Sequence, residues 1–190
     1  MNLNEQISQY KPYNDQEALD QKEILRYLTT FDNLLTRENK GAHFTSSAWV
    51  VNKARTKVLM AYHNIYQSWS WLGGHADGDA DLLHVALKET QEETGLKNIH
   101  SISDNIYSIE ILNVPTHSKK DKPIAEHLHL NITYLIEADE NEETSIKPDE
   151  NSGVEWMSLD SAIKACNEPT MKVIYQKLNE KLKEYTKTNS

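Results

Sequence analysis

The feature that most constrains this chain is a segment, residues 73–96, in which two glycines precede a glutamate-rich stretch. The pattern predicts a helix over residues 81–94, and Glu89, Glu92 and Glu93 stand in it at positions i, i+3 and i+4. At about 100° per residue, these three carboxylates fall within one narrow stripe of the helix. The fold must therefore accommodate a row of like charges.

Like charges at this spacing repel one another by a few tenths of a kcal/mol per pair on an exposed helix. A divalent cation removes the conflict, because carboxylate oxygens are the ligands that magnesium and manganese prefer. Magnesium also binds substrate phosphates while keeping some of its waters. The stripe therefore predicts Mg²⁺ as the cofactor, with Mn²⁺ as an alternative.

Both ends of the predicted helix carry their own signals. Asp79 or Asp81 is suited to cap its start. Gly95 is suited to the left-handed conformation that ends a helix, and Leu96 to the hydrophobic contact that follows. Gly74, before the helix, allows the backbone to approach a phosphate or a metal closely.

Glycines, helix and carboxylate row in this order resemble the Nudix box. That box reads Gly, five residues, Glu, seven residues, Arg-Glu, an apolar residue, any residue, Glu-Glu, any residue, Gly and an apolar residue. The stretch from about residue 42 to residue 162 resembles a whole Nudix domain. The positions that match the box are Gly74, Glu89, Glu92, Glu93, Gly95 and Leu96.

Three positions depart from the box. Ala80 stands where the family has its first Glu, Lys88 replaces the Arg, and Thr90 replaces the apolar residue. In the family the missing acid and the Arg pair with each other, and a lysine keeps the charge of the Arg but not its forked geometry. A nearby acid is available to supply the missing carboxylate, and three alternatives stay open: Asp77, Asp79 and Asp81.

The resemblance implies a metal-dependent hydrolase. Water would attack phosphorus at a diphosphate (phosphoanhydride) bond in a nucleoside diphosphate derivative or a related small molecule, which is a pyrophosphatase reaction. It implies Glu89, Glu92 and Glu93 as metal ligands, and Glu89, Glu93 and Lys88 as catalytic residues. The general base stays open between Glu89 and Glu93, with Glu150 as the second choice. The box does not identify the substrate.

Three residues are predicted to contact the substrate: Gly74, His75 and His129. His75 directly follows the glycines. His129 shares one face of a predicted strand, residues 127–138, with His127 and Asn131. Histidines held by hydrogen bonds within a strand are the alternative interpretation of that face.

The surrounding pattern predicts an α/β fold, which the resemblance specifies as a Nudix-like α/β/α sandwich with a mixed sheet plus an N-terminal helical extension. Pro169 is predicted to separate two C-terminal helices. Asp15 is predicted to cap the N-terminal helix. The predicted strands include residues 44–52, 56–63, 106–114, 127–138 and 154–158. The predicted domains are residues 1–40, the helical extension; 41–185, the Nudix hydrolase domain; and 186–190, a frayed tail.

Composition restricts the partners and the compartment. The chain has 20 Lys and Arg against 29 Asp and Glu, a net charge of -9, which disfavours DNA as a partner. It has one cysteine, Cys166, and no membrane-length apolar run, and its first residues lack the basic and apolar pattern that predicts a signal peptide. We therefore expect a cytoplasmic protein that acts on a small phosphorylated substrate away from membranes. The N-terminal helix either covers the domain or builds a homodimer.

Three alternatives compete with hydrolysis. The first is a non-catalytic Nudix module that only binds a nucleotide, which Ala80 and Lys88 favour. The second is isopentenyl-diphosphate isomerase, which needs a cysteine near the metal, whereas Cys166 falls in the predicted C-terminal helices. The third is a structural domain with an acidic surface helix, which predicts no response of stability to metal.

Overall fold

The computed structural model describes residues 1–119 and 122–188, and over that part of the chain it has five helices and ten strands. The helices are α1 (Leu3–Gln9), α2 (Asp15–Thr30), α3 (Leu82–Thr94), α4 (Leu159–Ala165) and α5 (Pro169–Thr188). The strands are β1 (Ala42–Asn52), β2 (Lys57–His63), β3 (Ser68–Ser70), β4 (Leu72–His75), β5 (Ile99–Ser101), β6 (Ser108–Val114), β7 (His117–Lys119), β8 (Lys122–Ile124), β9 (His127–Ala138) and β10 (Asn151–Ser158).

Eight of these strands form one sheet in the described part of the chain. Its main path runs in the order β10–β2–β1–β9–β5, while β3 pairs with β2, β4 with β1 and β6 with β9. Strand β2 is antiparallel to β1, β3 and β10, and β9 is antiparallel to β5 and β6. Strands β7 and β8 form a separate two-stranded sheet. None of the described helices has the length and apolar character that a membrane-spanning helix requires.

Strand β1 is buried along its whole length although it carries several polar side chains. Thr45 and Ser47 both donate to the side-chain oxygen of Asn131, at 2.9 and 2.8 Å. Ser46 donates to the backbone carbonyl of Leu82 at 2.5 Å. Buried polar groups are tolerated when they are paired in this way, so the polar residues of the strand remain in the core together with its apolar ones.

Most of the predicted elements are present. The strand at 127–138 and the helix break at Pro169 are confirmed. Two details differ in the N-terminal extension. Residues 31–40 contain no helix, and Asn14 rather than Asp15 caps α2, because the Asn14 side chain accepts from the N–H of Glu17 at 2.9 Å. Helix α5 continues through residues 186–188 of the predicted tail, and residues 189–190 lie outside the described part.

The contacts of the chain divide into two compact units. The first consists of Met1–Ser47, Gly73–Val85 and Asp104–Tyr134. Within it, α2 packs against β6. Glu17 of α2 is fully buried and accepts hydrogen bonds from the Tyr10 hydroxyl, the Tyr13 N–H and the Ser108 hydroxyl, at 2.5, 2.7 and 2.8 Å. Buried hydrogen bonds to a carboxylate therefore join the N-terminal helices to the rest of this unit.

The second unit consists of Ala48–Leu72, Ala86–Ser103 and Leu135–Ser190. Aromatic residues form part of its core. The rings of Trp49 and Tyr175 stack with centroids 5.2 Å apart, and both side chains are fully buried. The backbone N–H of Trp71 donates to the Tyr175 hydroxyl at 3.0 Å, so the buried hydroxyl is paired.

Candidate active site

Helix α3 presents its glutamates from a capped start and a defined end. The Asp81 side chain accepts from the N–H of His84 at 3.0 Å, which caps the helix. At the other end Gly95 has a φ of +73°, and its N–H donates to the Gln91 carbonyl. Leu96 is buried directly after this turn. The structure therefore contains the end that the sequence predicts and selects Asp81 as the cap.

Thr90 shows how a polar residue takes the apolar position of the box. Its side chain is buried, and its hydroxyl donates to the backbone carbonyl of Ala86 at 2.8 Å. A threonine in a helix can satisfy its hydroxyl in this way, so this departure from the pattern leaves no unpaired hydroxyl in the core.

Three carboxylates converge beside the C-terminal half of α3. Oxygen atoms of Glu89, Glu93 and Glu150 all lie within 4.8 Å of one another. Glu93 is buried, and the other two are partly buried. The Asn64 N–H donates to the Glu150 carbonyl at 3.0 Å, and the Asn151 side chain donates to the Glu93 carbonyl at 3.0 Å. The first hydrogen bond joins Glu150 to the segment that follows β2, and the second joins the next residue, Asn151, to α3.

This acidic cluster, Glu89–Glu93–Glu150, has the donor chemistry of a Mg²⁺ or Mn²⁺ site, since all its ligand atoms are carboxylate oxygens. Burial raises the pKa of Glu89, and the neighbouring charge of Glu92 raises it further. Negative charge at Glu89 is therefore incompletely compensated by the protein. A divalent cation would supply the missing positive charge, so the residues fit the metal that the sequence predicts.

Two lysines border the acidic cluster. The amino group of Lys147 lies 3.1 Å from the Glu150 carboxylate and 3.5 Å from that of Glu92. The amino group of Lys88 lies 3.6 Å from Glu92 and 3.8 Å from Glu89. Burial acts to lower the pKa of Lys147, but its ion pair with Glu150 outweighs that effect and the pKa is raised. Sequence reasoning missed Lys147, because only the folded loop brings it to the glutamates.

Glu92 does not join the acidic cluster. Relative to Glu89, a residue at i+4 is rotated by about +40° around the helix, whereas one at i+3 is rotated by about −60°. Glu93 therefore lies on the side of the cluster, and Glu92 lies on the side of Lys88 and Lys147. Of the three predicted metal ligands, the structure brings two together and adds Glu150, which the sequence offered only as a second choice of general base.

The glycines before the helix have a packing role at Gly73, whose φ is +152°. A Cβ there would collide with the Ser46 carbonyl oxygen and would lie 2.7 Å from the Ser47 Cα. The close approach seen at this point is thus between β4 and β1. Gly74 lies in the same short strand, so the two glycines belong to β4.

The three aspartates proposed to replace the missing box glutamate all have partners. Asp77 forms a bidentate pair with Arg37, at 2.8 and 2.7 Å. Asp79 contacts the ring of His84 at 2.7 Å, and Asp81 caps α3. No group of three or more clustered potential ligands within residues 1–119 and 122–188 includes any of these aspartates.

A second group of potential ligands is a histidine cluster formed by His43, His75 and His129, whose ring nitrogens lie within 4.8 Å of one another. His43 comes from β1, His75 ends β4, and His129 lies in β9. Burial is the main cause that lowers the pKa of His129 to about 2, and the neighbouring His75 and His43 lower it further. Burial also lowers the pKa of His43. The rings of His43 and His129 are therefore neutral at physiological pH. The sequence singled out His75 and His129 but missed His43, which sits in the N-terminal half of a buried strand.

Cys166 is a buried thiol of the second unit. It is fully buried at the end of α4, where its sulfur contacts the Ser68 hydroxyl at 3.6 Å. Within the described residues, neither clustered set of potential ligands includes this thiol. Its position gives no support to a reaction that needs a cysteine beside the metal.

Comparison with known proteins decides the family. The family model of the NUDIX domain matches residues 41–178. The chain belongs to the Nudix family. Among proteins of curated function, none matches its sequence. The prediction of a Nudix hydrolase with an α/β fold is confirmed at the level of the family, and the N-terminal helices are present.

Solved structures share the Nudix fold at low sequence identity. An Ap4A hydrolase of C. elegans, in a binary complex, is 19% identical with a TM-score of 0.55, over 76% of this chain and 98% of that one. A NUDIX hydrolase from Listeria monocytogenes is 19% identical with a TM-score of 0.53, over 75% and 95% of the two chains. RenU, a Nudix hydrolase from M. smegmatis, is 15% identical with a TM-score of 0.53, over 74% and 85%.

Proposed function

We propose that this Nudix protein hydrolyses a diphosphate bond in a nucleoside diphosphate derivative or a related small phosphorylated molecule, with Mg²⁺ or Mn²⁺ as cofactor. The convergence of Glu89, Glu93 and Glu150 carries the proposal. Three partly or fully buried carboxylates are an unfavourable arrangement unless a cation is bound among them. Family membership supplies the reaction class.

Each residue of the acidic cluster has a role in this proposal. Glu89, Glu93 and Glu150 would hold the metal. When bound, a divalent cation would supply positive charge to the phosphates and would make the attacking water easier to deprotonate. One carboxylate of the cluster takes the proton of that water, with Glu89 and Glu93 as first choices and Glu150 as the second. Glu92 stands outside the acidic cluster and positions Lys88 and Lys147 through ion pairs.

Lys88 is proposed as a catalytic group that contacts phosphate. Its side chain is about half exposed, and its amino group stands 3.6 Å or more from its carboxylate partners, so it is only loosely paired. An ion pair this loose and exposed contributes about 0–1 kcal/mol. Lys88 is therefore able to leave the glutamates for a phosphate at little cost.

The remaining predictions belong to the same proposal. Gly74, His75 and His129 stay predicted substrate contacts, and the cytoplasmic location stays a prediction supported by the single cysteine. Assembly as a homodimer through the N-terminal helices likewise stays a prediction. The net charge of -9 supports a small substrate and opposes DNA as a partner.

The experiment measures hydrolysis of a panel of nucleoside triphosphates, sugar nucleotides and dinucleoside polyphosphates, by chromatography of the products, with Mg²⁺ and with chelator. Glu93→Gln is compared with Glu143→Gln, an exposed acid in the loop that carries Glu150 but outside the acidic cluster. We expect turnover that needs the metal, collapses in Glu93→Gln and persists in Glu143→Gln. Tight nucleotide binding without turnover on any member would overturn the hydrolase and favour a binding module.

A further inference from the structure

The histidine cluster of the first unit has its own hydrogen-bond pattern, and that pattern fixes where the ring hydrogens lie. The Nδ1 atom of His43 is 3.1 Å from the Asn39 carbonyl oxygen, and the Nδ1 atom of His127 is 2.8 Å from the Ala125 carbonyl oxygen. A carbonyl oxygen only accepts, so each Nδ1 carries the hydrogen. In a neutral ring Nε2 then carries a bare lone pair.

This assignment also determines the tautomer of His129. Its Nε2 atom lies 3.2 Å from Nε2 of His127. Because the His127 nitrogen can only accept, Nε2 of a neutral His129 must donate. The lone pair of His129 is therefore on Nδ1. His127 thus accepts the Nε2 hydrogen of His129 and orients the His129 ring.

The Nε2 atom of His43 is the unexplained atom in this arrangement. His43 is 5% exposed, and no donor or acceptor pairs with its Nε2 within the described part of the chain. A buried polar atom without a partner is unfavourable, because it has lost its hydrogen bonds to water. The ring centroids of His75 and His129 lie 5.2 and 5.1 Å from that of His43, so this lone pair is buried among other imidazoles.

We propose that His43, His75 and His129 form a second metal site, which binds a transition-metal ion of the zinc class. Neutral imidazoles suit zinc and its neighbours in the first transition row, whereas Mg²⁺ prefers oxygen. A ligating histidine generally donates its other ring N–H to a carbonyl or another acceptor. His43 does so to Asn39 and His129 to His127, so His127 is a positioning residue for the site.

The composition of the site indicates what a bound ion would meet. Three neutral imidazoles leave the charge of a divalent ion uncompensated, and three protein ligands leave a tetrahedral position open. An anionic oxygen, such as that of a phosphate group, suits this position. Under this assignment His75 and His129 would act on a substrate phosphate through the ion rather than through their own N–H groups.

The test uses the untagged, metal-free protein of 190 residues with excess Mg²⁺, which the proposed function assigns to the acidic cluster. Co²⁺, a spectroscopic substitute for Zn²⁺, is titrated while its visible absorption is recorded, and Zn²⁺ is then added as a competitor. The variants are His43→Gln and His129→Gln. The matched control is His100→Gln, an exposed histidine of β5, and Glu93→Gln reports on the acidic cluster.

We expect about one equivalent of Co²⁺ with the absorption of a nitrogen-ligated site, displaced by Zn²⁺. Affinity should fall by at least roughly tenfold in His43→Gln and His129→Gln and stay unchanged in His100→Gln and Glu93→Gln. Absence of Co²⁺ binding in the presence of Mg²⁺ overturns the proposal, as does binding that both cluster variants retain. Loss of substrate hydrolysis in Glu93→Gln with intact Co²⁺ binding separates this site from the proposed hydrolytic centre.

If a cluster variant does not fold, the wild-type protein answers the question alone. The ring-nitrogen resonances of its histidines are followed by NMR as Zn²⁺ is added. Selective coordination shifts at His43, His75 and His129, with His84 and His100 unchanged, support the site. Shifts caused by inorganic phosphate but not by Zn²⁺ would overturn it, because the cluster would then be an anion site.

Discussion

At the scale of single residues, the chemistry depends on which carboxylates lie close together in space rather than on which belong to the same helix. Glu89 and Glu93 meet Glu150, which lies 57 positions after Glu93 in a loop before β10. Glu92 is adjacent in sequence but forms ion pairs with Lys88 and Lys147. The helical offset of i+3 against i+4 accounts for this division.

The first prediction distinguishes Glu150 from Glu92. In Glu150→Gln we expect Mg²⁺ affinity and turnover to fall by roughly tenfold to a hundredfold, because a charged ligand is lost. Glu92→Gln removes a carboxylate outside the acidic cluster and should lower Mg²⁺ affinity less than Glu150→Gln does. Titration calorimetry with Mg²⁺ and rates on the same substrate measure both. A greater loss of metal affinity in Glu92→Gln would contradict the assignment.

The second prediction concerns Gly73. Gly73→Ala should lower the free energy of unfolding by about 3 kcal/mol or more, because the new Cβ meets the backbone of β1 at a positive φ. Gly78→Ala is the matched control, since Gly78 also has a positive φ, +96°, but a Cβ there would meet nothing within 4 Å. It should cost about 1–2 kcal/mol. Equal losses in urea unfolding would show that backbone strain alone governs Gly73.

At the scale of elements, the start of α3 has a structural explanation that competes with a catalytic one. Asp81 accepts the N–H of His84, which is the third residue of the helix. An N-cap accepts this hydrogen bond through its side-chain oxygen, and Asn does so as well as Asp. The carboxylate charge of Asp81 is therefore not required for its observed role.

The third prediction separates these two roles. Asp81→Asn should retain stability and activity, whereas Asp81→Ala should lower the free energy of unfolding by about 1 kcal/mol. Metal affinity should not change in either variant. Thermal unfolding and Mg²⁺ titration are the measurements. Loss of metal binding in Asp81→Asn would make Asp81 the carboxylate that replaces the one missing at Ala80.

At the scale of the whole molecule, the N-terminal extension is part of a folded unit rather than an appendage. The Glu17 carboxylate gathers three donors from α2's surroundings and from β6. Asp20, one turn later, accepts the backbone N–H of Ile111 at 3.0 Å. Glu17 thus accepts a backbone N–H from the segment before α2, and Asp20 accepts one from β6. Without these carboxylates, both N–H groups would need hydrogen bonds to water.

The fourth prediction tests this attachment. Glu17→Ala should lower the free energy of unfolding by roughly 2–4 kcal/mol, because several buried donors lose their acceptor. Glu38→Ala, at an exposed position outside the helices, should change it by less than about 0.5 kcal/mol. Urea unfolding compares the two variants. A negligible effect of Glu17→Ala would show that the helices are held by apolar packing alone.

The local sequence determined the elements and the chemistry of α3. Periodicity, a capping acid and a terminal glycine are short-range signals, and they predicted the helix, the strand at 127–138 and the break at Pro169. The spaced glycine and glutamate pattern also predicted the family, which the family match confirms. These features depend on interactions between near neighbours in the chain, so one sequence is sufficient to identify them.

Tertiary structure alone decided which residues meet. Glu150 and Lys147 join the glutamates of α3, and His43 joins His75 and His129, across separations in the chain that no local pattern encodes. Strand pairing and loop anchoring bring these residues together. Without those contacts, the same residues would be separate surface acids and strand histidines. The sequence thus determined which chemical groups are available, and the fold determined which of them share a site.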